Sequence, residues 1–397
     1  MRTRTTVIAA VAFIAAAAAF AACSDSVTPP VPDSPSPMFA KGGPPKTVKS
    51  VSVAPSSATI AIGGTAQLVA TASPSGSATS FAWASSKTTV ATVSTSGLVT
   101  GVGPGSASIT ATAGGKTGTS TIIVQSAPPP GTQVLVGAGD IADCSLSGDE
   151  ATAKLLDGVS GTVFTLGDNA YPNGSSSDYA NCYGPTWGRH KARTMPTPGN
   201  HEYQTSGAAG YFGYFGSAAG DPSKGYYSYD LGDWHIVVLN SNSDCSTISC
   251  SANSAQVQWL VADLAANSKT CTLAYWHHPR FNSGSGHGND INVAPFWDAL
   301  YNAGADVILN GHEHVYERFA LQTPNAVASA AGIRQFTVGT GGASEYAFKP
   351  TPEPNSEVRN DRTQGVLKLT LHATSYDWQF IPVAGATFTD SGSASCH

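Results

Sequence analysis

The sequence predicts a multidomain protein in which an all-β sandwich is followed by a layered α/β domain. The chain has 397 residues, which is more than one hydrophobic core usually needs, so two or three domains are expected. Short apolar runs with a period of two predict the sandwich over residues 48–126. Over residues 132–397, strand-like apolar runs alternate with helical periodicities, which is the pattern of an α/β domain.

Composition narrows the functions that the chain can have. Charged residues make up 12% of the sequence, about half of the usual ~25%, and the formal net charge is −6. No basic segment offers the electrostatic footprint of a nucleic-acid-binding protein, so no nucleic-acid binding is expected except as a substrate. All ten histidines occur at or after His190, which places the chemistry in the second domain.

Residues 1–23 have the pattern of an export signal. Arg2 and Arg4 precede an Ala-rich apolar run over residues 7–22, which is short for a membrane span of about 20 residues. Because the run ends at Cys23, the segment resembles a bacterial lipoprotein signal, which implies cleavage before Cys23 and a lipid on its sulfur. We therefore expect an exported protein of the bacterial cell envelope that contacts the membrane only through this lipid anchor. An ordinary secretory signal, and hence a secreted protein, is the alternative.

Two segments without periodicity are predicted to be connectors. Residues 24–47 are rich in serine and proline and cannot bury enough apolar surface to fold, so a disordered tether is expected there. Residues 127–131 read Ala-Pro-Pro-Pro-Gly and are expected to form a stiff linker between the two domains.

The segment 48–126 carries strand patterns but no catalytic chemistry. Its alternating runs include residues 59–62 and 108–111, and turn signals separate them. Between residues 50 and 131 the charged residues are Lys87 and Lys116 alone, and there is no acid, histidine or cysteine. Without a general acid, a general base or a metal ligand, this domain is not expected to be catalytic.

The same segment resembles a known domain. Residues 82–86, 90–93, 97–101 and 105–107 resemble the bacterial Ig-like domain of group 2. In that family such domains serve as spacers or as adhesion modules. The resemblance therefore implies a spacer, with adhesion to a surface ligand as the alternative.

The cysteines beyond Cys23 are even in number, which favours disulfide bonds in an exported chain. They are Cys144, Cys182, Cys245, Cys250, Cys271 and Cys396. Six cysteines allow fifteen pairings, and the sequence does not choose among them. Cys245 and Cys250 lie close together in a polar loop and are the pair that we predict. No two cysteines have the C-x-x-C spacing of a zinc site.

Strands and helices of the second domain are predicted from apolar periodicity. Buried strands are expected at residues 134–136, 163–166, 236–239, 272–275 and 307–309. Helices are expected over residues 151–156, at residues 296–300 and over the apolar positions Val257, Leu260, Val261 and Leu264. Most of these strands run into polar residues at their carboxyl ends, where open α/β sheets place their active sites.

Five polar clusters at these positions carry the chemistry. They occupy residues 139–143, 167–171, 199–202, 276–279 and 311–318. Carboxylate and phenolate oxygens suit hard cations, imidazole suits borderline ones, and one carboxylate can bridge two ions. A glycine beside most candidate ligands lets the backbone turn sharply and leaves room for metal and substrate. The pattern predicts a site with two metal ions.

The five clusters, in this order, resemble the calcineurin-like metallophosphoesterases, and more narrowly their purple acid phosphatase branch. Ala142 stands where many members have the histidine of a D-x-H motif, and Tyr171 completes the G-D-x-x-Y motif of that branch. The last cluster reads G-H-x-H-x-Y-E-R and matches the branch as well. The resemblance implies an αββα-layered domain and a metal-dependent phosphoric ester hydrolase similar to the acid phosphatases.

The resemblance also implies the site residues. Two groups of metal ligands are expected to share Asp168 as a bridge. The first group is Asp140, Asp168, Tyr171 and His314, and the second is Asp168, Asn200, His277 and His312. A phenolate ligand favours Fe(III) at the first position, and the second would hold Zn²⁺, Mn²⁺ or Fe²⁺.

Catalysis is expected to follow from the metals and two further histidines. Two cations would share a water, lower its pKa from ~15.7 towards ~7 and produce the hydroxide that attacks phosphorus. His201 and His287 would donate protons to the departing alkoxide. The substrate is expected to be a small-molecule or surface phosphate ester, and both monoester and diester stay open. The alternative is a surface binding or adhesion protein with a vestigial phosphatase domain, but the complete ligand set argues against it.

Neighbours of these residues are assigned supporting roles. His278 is expected to pack beside the ligands rather than to bind metal, and Glu202 and Glu317 are expected to orient loops. The loops 205–225 and 282–290 are expected to shape the substrate pocket.

The variant Cys23→Ala tests the predicted lipid anchor. In a bacterial host supplied with labelled palmitate, the wild-type chain should carry label and Cys23→Ala should carry none, because the Cys23 sulfur is the expected lipid acceptor. The label is measured in the immunoprecipitated protein, with Cys245→Ala as the control for loss of a cysteine. Labelling that survives in Cys23→Ala would contradict the prediction.

Overall fold

The computed structural model describes residues 46–125 and 131–397. The predicted signal, Cys23 and nearly all of the two predicted connectors lie outside the described residues. Within the two described ranges, none of the helices combines the length and the apolar character that a bilayer crossing requires.

The first domain consists of short strands, as its alternating apolar pattern predicts. Between residues 46 and 125 these are β1 (Ser50–Ala54), β2 (Ser57–Ala61), β3 (Thr65–Gln67), β4 (Val69–Ser73), β5 (Ala82–Ser85), β6 (Ala91–Val93), β7 (Leu98–Gly101), β8 (Gly105–Ala113) and β9 (Lys116–Gln125). Strands β2-β9-β8-β5 form one sheet, β3-β7-β6 form another, and β1 pairs with β4. The predicted all-β class is confirmed.

Alternate side chains of these strands meet in one apolar core. Ile109 and Ala111 of β8 are buried, and so is Ile122 of the neighbouring strand β9. The period of two puts such residues on one face of the sheet and the intervening serines and threonines on the other. The β8–β9 hairpin turns at Gly114 and Gly115, whose φ angles of 53° and 72° are ones that residues with a Cβ rarely adopt.

The second domain alternates strands and helices over residues 131–397. Its strands are β10 (Gln133–Ala138), β11 (Thr162–Thr165), β12 (Thr194–Met195), β13 (Tyr227–Leu231), β14 (Trp234–Val238), β15 (Cys271–Tyr275), β16 (Val307–Asn310), β17 (Tyr316–Phe319), β18 (Arg334–Val338), β19 (Ser356–Asn360), β20 (Gly365–Leu371), β21 (Ser375–Pro382) and β22 (Ser391–Ser395). Its α-helices are α1 (Gly148–Asp157), α2 (Ser176–Asp178), α3 (Ala209–Phe215), α4 (Ala255–Ala266) and α5 (Ala294–Asn302). Short 3-10 or π turns cover Tyr179–Tyr183, Trp187–Arg193, Glu202–Gln204, Ser206–Ala208, Gly216–Ala219 and Ile291–Val293.

These strands form two mixed sheets. The six-stranded sheet has the order β12-β11-β10-β20-β21-β22, and the seven-stranded sheet has the order β13-β14-β15-β16-β18-β17-β19. Strands β10, β11 and β12 run parallel to one another, as do β14, β15, β16 and β18. The carboxyl ends of β10, β11, β15 and β16 lead directly into polar clusters identified in the sequence.

Side-chain alternation in the central strands separates two apolar cores. In β15, Leu273 and Tyr275 belong to the core that also contains residues of β10 and β20. Ala274 belongs instead to the core that contains Leu260 of α4 and Trp297 of α5. Helix α1 packs against β20 of the six-stranded sheet. The layers are therefore helix, sheet, sheet, helix, which confirms the predicted αββα class.

The second domain differs from the sequence expectation at one helical position and in several strands, among them β12, β13, β17, β18 and β19. Val261 of α4 is 51% exposed, because the buried stripe of the helix consists of Val257, Leu260 and Leu264, and Val261 lies beside it. The antiparallel strands β20–β22 were not predicted, although the buried Trp378 and its neighbours alternate along β21 with a period of two.

Three disulfide bonds are present in the described residues. They join Cys144 to Cys182, Cys245 to Cys250, and Cys271 to Cys396. The predicted Cys245–Cys250 pair is confirmed. Cys271 begins β15 in the seven-stranded sheet, whereas Cys396 follows β22 at the edge of the six-stranded sheet. The last bond therefore links the two sheets covalently.

Removing the Cys271–Cys396 bond should destabilise the protein more than removing the Cys245–Cys250 bond. The first pair is 125 residues apart and the second is 5 apart, and chain entropy then predicts losses of about 5 and about 2 kcal/mol. The measurement is the free energy of unfolding of the two double alanine variants in denaturant under oxidising conditions. Equal losses, or the reverse order, would show that loop closure does not set the contribution of these bonds.

Candidate metal centre

The first predicted ligand group lies together at the carboxyl ends of the strands. The Tyr171 hydroxyl oxygen is 3.3 Å from Asp140 Oδ1 and 3.4 Å from Asp168 Oδ2. His314 Nε2 is 3.1 Å from the same hydroxyl and 3.4 Å from Asp140 Oδ1. Three of these side chains follow strands of the six-stranded sheet and His314 follows β16 of the other sheet. The group therefore forms where the two sheets meet.

The second predicted group shares Asp168 with the first. His277 Nε2 lies 3.2 Å from Asp168 Oδ2 and 3.0 Å from Asn200 Oδ1. His312 Nδ1 lies 3.1 Å from His277 Nε2. Asp168 Oδ2 is thus close to donors of both groups, so the structure brings all seven predicted ligands together.

The spacing of these atoms fits metal ions. Atoms that bind one ion at about 2.0–2.2 Å lie about 3.0–3.5 Å from one another, which is the spacing found in both groups. His277 Nδ1 donates to the Leu166 carbonyl at 2.7 Å, and His314 Nδ1 donates to the Ser344 carbonyl at 2.6 Å. These bonds leave the Nε2 lone pairs directed at the cluster, as ligating histidines require.

Both carboxylates are oriented by backbone N–H groups. Asp140 Oδ2 accepts the His312 N–H, and Asp168 Oδ1 accepts the His201 N–H, each at 2.9 Å. One oxygen of each carboxylate is therefore fixed by the chain, and the other is free to bind a metal. Each contact also ties one cluster loop to another.

The backbone at this centre is strained. Asp140, Asp168 and His312 have φ angles of 59°, 47° and 68°, in the left-handed region that residues with a side chain seldom adopt. Such conformations cost of order 1–3 kcal/mol each and persist only where the surroundings enforce them. A Cβ at Gly311 would lie 2.7 Å from Asp140 Oδ2, and one at Gly199 would collide with Asp168. The glycines beside the ligands leave the room that the sequence predicted.

Charges at the centre influence one another strongly. Burial and the carboxylates of Asp140 and Asp168 raise the pKa of Tyr171 well above its ordinary value. Burial alone would lower the pKa of His277, but Asp168 and Asp140 raise it to about 9. The charge of His277 outweighs burial and lowers the pKa of Asp168. Tyr171 and His277 must therefore each give up a proton when they bind a metal ion.

Two protein families match this chain. The bacterial Ig-like domain (group 2) matches residues 47–124, and the calcineurin-like phosphoesterase family matches residues 114–316, just over half of the chain. The second match includes all seven predicted ligands. The chain belongs to the calcineurin-like phosphoesterase family. Its first domain is Ig-like.

Curated relatives of this phosphoesterase are purple acid phosphatases. Purple acid phosphatase 22 of Arabidopsis thaliana is 36% identical over 143 residues, which covers 34% of this chain and 31% of the relative. Purple acid phosphatase 15 of the same plant is 27% identical over 248 residues, which covers 52% of this chain and 46% of the relative. The chain thus spans less than half of the length of these two relatives.

Solved structures share the fold of the phosphoesterase. A purple acid phosphatase from yellow lupin (Lupinus luteus) seeds aligns with a TM-score of 0.52 and 18% identity over 83% of this chain and 67% of its own. The anchor protein of the Plasmodium inner membrane complex aligns with a TM-score of 0.50 and 11% identity over 65% of this chain and 88% of its own.

The two predicted proton donors lie beside the candidate metal centre of the phosphoesterase. His201 Nδ1 is 2.5 Å from the Pro172 carbonyl oxygen, and His201 Nε2 is 3.8 Å from Asp168 Oδ2. The ring of His287 lies 4.0 Å from the ring of His312, and its side chain is 40% exposed. Both histidines are therefore close enough to the centre to meet a bound substrate.

Glu202 holds two of the ligand loops, in line with its expected role. Its carboxylate accepts the N–H groups of Asn169 at 2.8 Å and Gly199 at 2.7 Å, and the Tyr179 hydroxyl at 3.1 Å. Glu317 acts similarly further along the chain, where it accepts the Ser283 N–H at 2.8 Å. These buried carboxylates connect loops that are far apart in sequence.

Glu313 positions the loop of His287, and sequence reasoning missed it. Its buried carboxylate accepts the Asn282 side-chain amide at 2.9 Å and the N–H groups of Gly286 at 2.6 Å and His287 at 2.9 Å. These bonds and the nearby His287 outweigh burial and lower the pKa of Glu313. The sequence did contain a signal for this role, because the acid lies between two ligand histidines. Since neighbouring side chains alternate in direction, the acid points away from the metals when the two histidines point towards them.

A cavity of about 570 Å³ opens beside the second ligand group. Asn200, His312 and His287 line it, together with the carboxylates of Asp244 and Asp290. Neither lysine nor arginine is among the described residues that line it. A phosphate ester in this cavity would meet histidines and the metal ligands.

Only one of the two expected pocket loops lines this cavity. Residues 286–290 contribute to its wall, as expected for the 282–290 loop. Residues 205–225 do not, because Tyr211 and Phe215 are buried in the apolar core. Residues 243–244 contribute to the wall instead.

Replacing Asp168 should remove metal from both positions. The variant Asp168→Asn loses the charged oxygen that lies beside donors of both groups, so bound metal should fall from two ions per chain to fewer than one. Asp140→Asn should retain the second ion, and the exposed Asp298→Asn is a matched control that should keep both. Elemental analysis of purified, reconstituted protein measures the stoichiometry and identifies the metals. Two ions retained in Asp168→Asn would refute the shared position.

Proposed function

We propose that this chain is an exported, lipid-anchored enzyme that hydrolyses phosphate esters at a centre of two metal ions. The observation that carries the proposal is the convergence of seven candidate ligands, among them Asp168, whose Oδ2 lies within 3.4 Å of donors in both groups. Membership of the calcineurin-like phosphoesterases supports it. The matching relatives are purple acid phosphatases, which favours the reaction type of that branch of the family.

The residues of the chain would orient the metals and the substrate. Two bound cations would supply an activated water and withdraw charge from the phosphoryl oxygens. The backbone carbonyls of Leu166 and Ser344 would keep the ligand histidines turned towards the centre. The cavity beside the centre would hold the ester next to Asn200 and His312 of the second ligand group.

His201 and His287 would transfer protons at the edge of the centre. The bond from His201 Nδ1 to Pro172 leaves Nε2 as the atom that faces the reacting group. A proton given to the departing ester oxygen prevents the build-up of negative charge and typically contributes about 10²–10⁴-fold to the rate. His287, whose backbone N–H donates to Glu313, would act from the wall of the cavity.

The donor types support Fe(III) with a divalent ion. Tyr171 in the first group would bind as a phenolate, which suits a ferric ion. The second group offers Asp168, Asn200 and two histidines, which suit Zn²⁺, Mn²⁺ or Fe²⁺.

The substrate would be a small or surface-bound phosphate ester. The cavity of about 570 Å³ is large enough for the ester of a small alcohol and open to a larger one. The Ig-like domain would serve as a spacer between the predicted lipid on Cys23 and the phosphoesterase domain.

Hydrolysis of aryl phosphates tests the function. The metal-loaded protein should hydrolyse p-nitrophenyl phosphate, or bis-p-nitrophenyl phosphate if it is a diesterase, and a chelator should abolish either activity. His201→Ala should lower kcat by about 10²-fold or more if its proton transfer is lost, while bound metal stays unchanged. His372→Ala is the control, because His372 bonds to Asp377 and makes no described contact with the ligands. Loaded protein that hydrolyses neither ester would favour the vestigial binding protein.

A further inference from the structure

His278 occupies a position beside the centre that neither the metals nor the two proton donors explain. It directly follows the candidate ligand His277 and is 1% exposed. Its ring packs 4.8 Å from that of His277 and 4.2 Å from that of His312, measured between ring centroids. It also lines the cavity in which we place the substrate. A buried histidine that lines this cavity can contact a bound substrate.

Ser241 determines which ring nitrogen of His278 carries the proton. The Ser241 Oγ accepts the His278 backbone N–H at 3.1 Å and lies 2.7 Å from His278 Nδ1. Among the described residues, Nδ1 is the acceptor available to the hydroxyl hydrogen, so we assign the hydroxyl as donor and Nδ1 as acceptor. In a neutral imidazole the proton then resides on Nε2.

The Nε2–H group of His278 has no hydrogen-bond partner among the described residues. Its nearest carboxylate oxygen is Asp244 Oδ1 at 3.6 Å, which is too distant for a hydrogen bond. Asp244 also lines the cavity, so this side of the ring faces the substrate space. This donor is open to the cavity, and an oxygen bound there would accept its hydrogen bond.

We propose that His278 is a third substrate-contacting histidine, which donates from Nε2 to a phosphoryl oxygen of the bound ester and of the phosphate product. This inference rests on the proposed function and adds to it a binding contact. Ser241 is a positioning residue, because its hydroxyl sets the tautomer that makes Nε2 a donor. The Trp276 indole N–H, which donates to the His278 carbonyl at 2.7 Å, fixes the backbone beneath the ring.

Phosphate affinity tests the contact separately from turnover. Binding of inorganic phosphate to the metal-loaded protein is measured by calorimetry, together with metal content and the separate values of kcat and KM. His278→Leu should weaken phosphate binding roughly ten- to hundredfold, the effect of losing a hydrogen bond to a charged group, with two ions still bound. His278→Gln, which keeps an N–H donor, should recover most of the affinity.

Ser241→Ala provides a second test that leaves the imidazole in place. It should weaken phosphate binding by about threefold to tenfold, since Nε2 is then no longer held as the donor. Ser246→Ala is the matched control, because Ser246 is exposed on the same loop and its hydroxyl bonds to none of the described residues. It should bind phosphate as the wild-type protein does.

The outcomes separate this inference from the proposed function. Equal phosphate affinity in wild type, His278→Leu and Ser241→Ala would overturn the contact even if hydrolysis is normal. Loss of a metal ion in His278→Leu would also overturn it and make His278 a ligand. Wild-type protein that binds phosphate through His278 but hydrolyses no ester would leave the contact standing and refute the function.

Discussion

The carboxylate of Asp168 is the constraint on which the rest of the site depends. Oδ1 accepts a backbone N–H from the next ligand loop, and Oδ2 lies beside donors of both metal groups. Holding it there requires a left-handed backbone at Asp168, a glycine at position 199 and the buried carboxylate of Glu202, which bonds to both loops. Local strain at one residue is thus balanced by contacts from several others.

The domain that bears this centre could largely be predicted from the sequence. Asp140 and His277 follow buried strands within two residues, so the period of the strands and the chemistry of the next residues were enough to locate them. The Ig-like domain was recognisable for a related reason, because its alternating runs contain almost no charge. In both cases the order of neighbouring residues along the chain was enough to predict where the strands and the residues that follow them lie.

What the sequence did not reveal depends on contacts between distant residues. Glu313 bonds to a loop about thirty residues earlier, and Ser241 bonds to His278 across 37 positions. The Cys271–Cys396 pairing likewise requires knowledge of which strands lie at facing edges. Val261 was grouped with the apolar stripe of its helix because its spacing also fits the helical period. In the structure it lies beside the buried stripe and is not part of it. Burial of such residues is a property of the packed sheets and helices.

The way in which Glu313 holds the 282–288 loop has an evolutionary consequence. It accepts two of its three hydrogen bonds from main-chain N–H groups, which almost every amino acid supplies. Side chains in that loop could therefore be exchanged without loss of these two bonds, except at Gly284 and Gly286, where a Cβ would collide with Glu313. Related enzymes could diversify in the compounds they accept while inheriting the same machinery for breaking the ester bond.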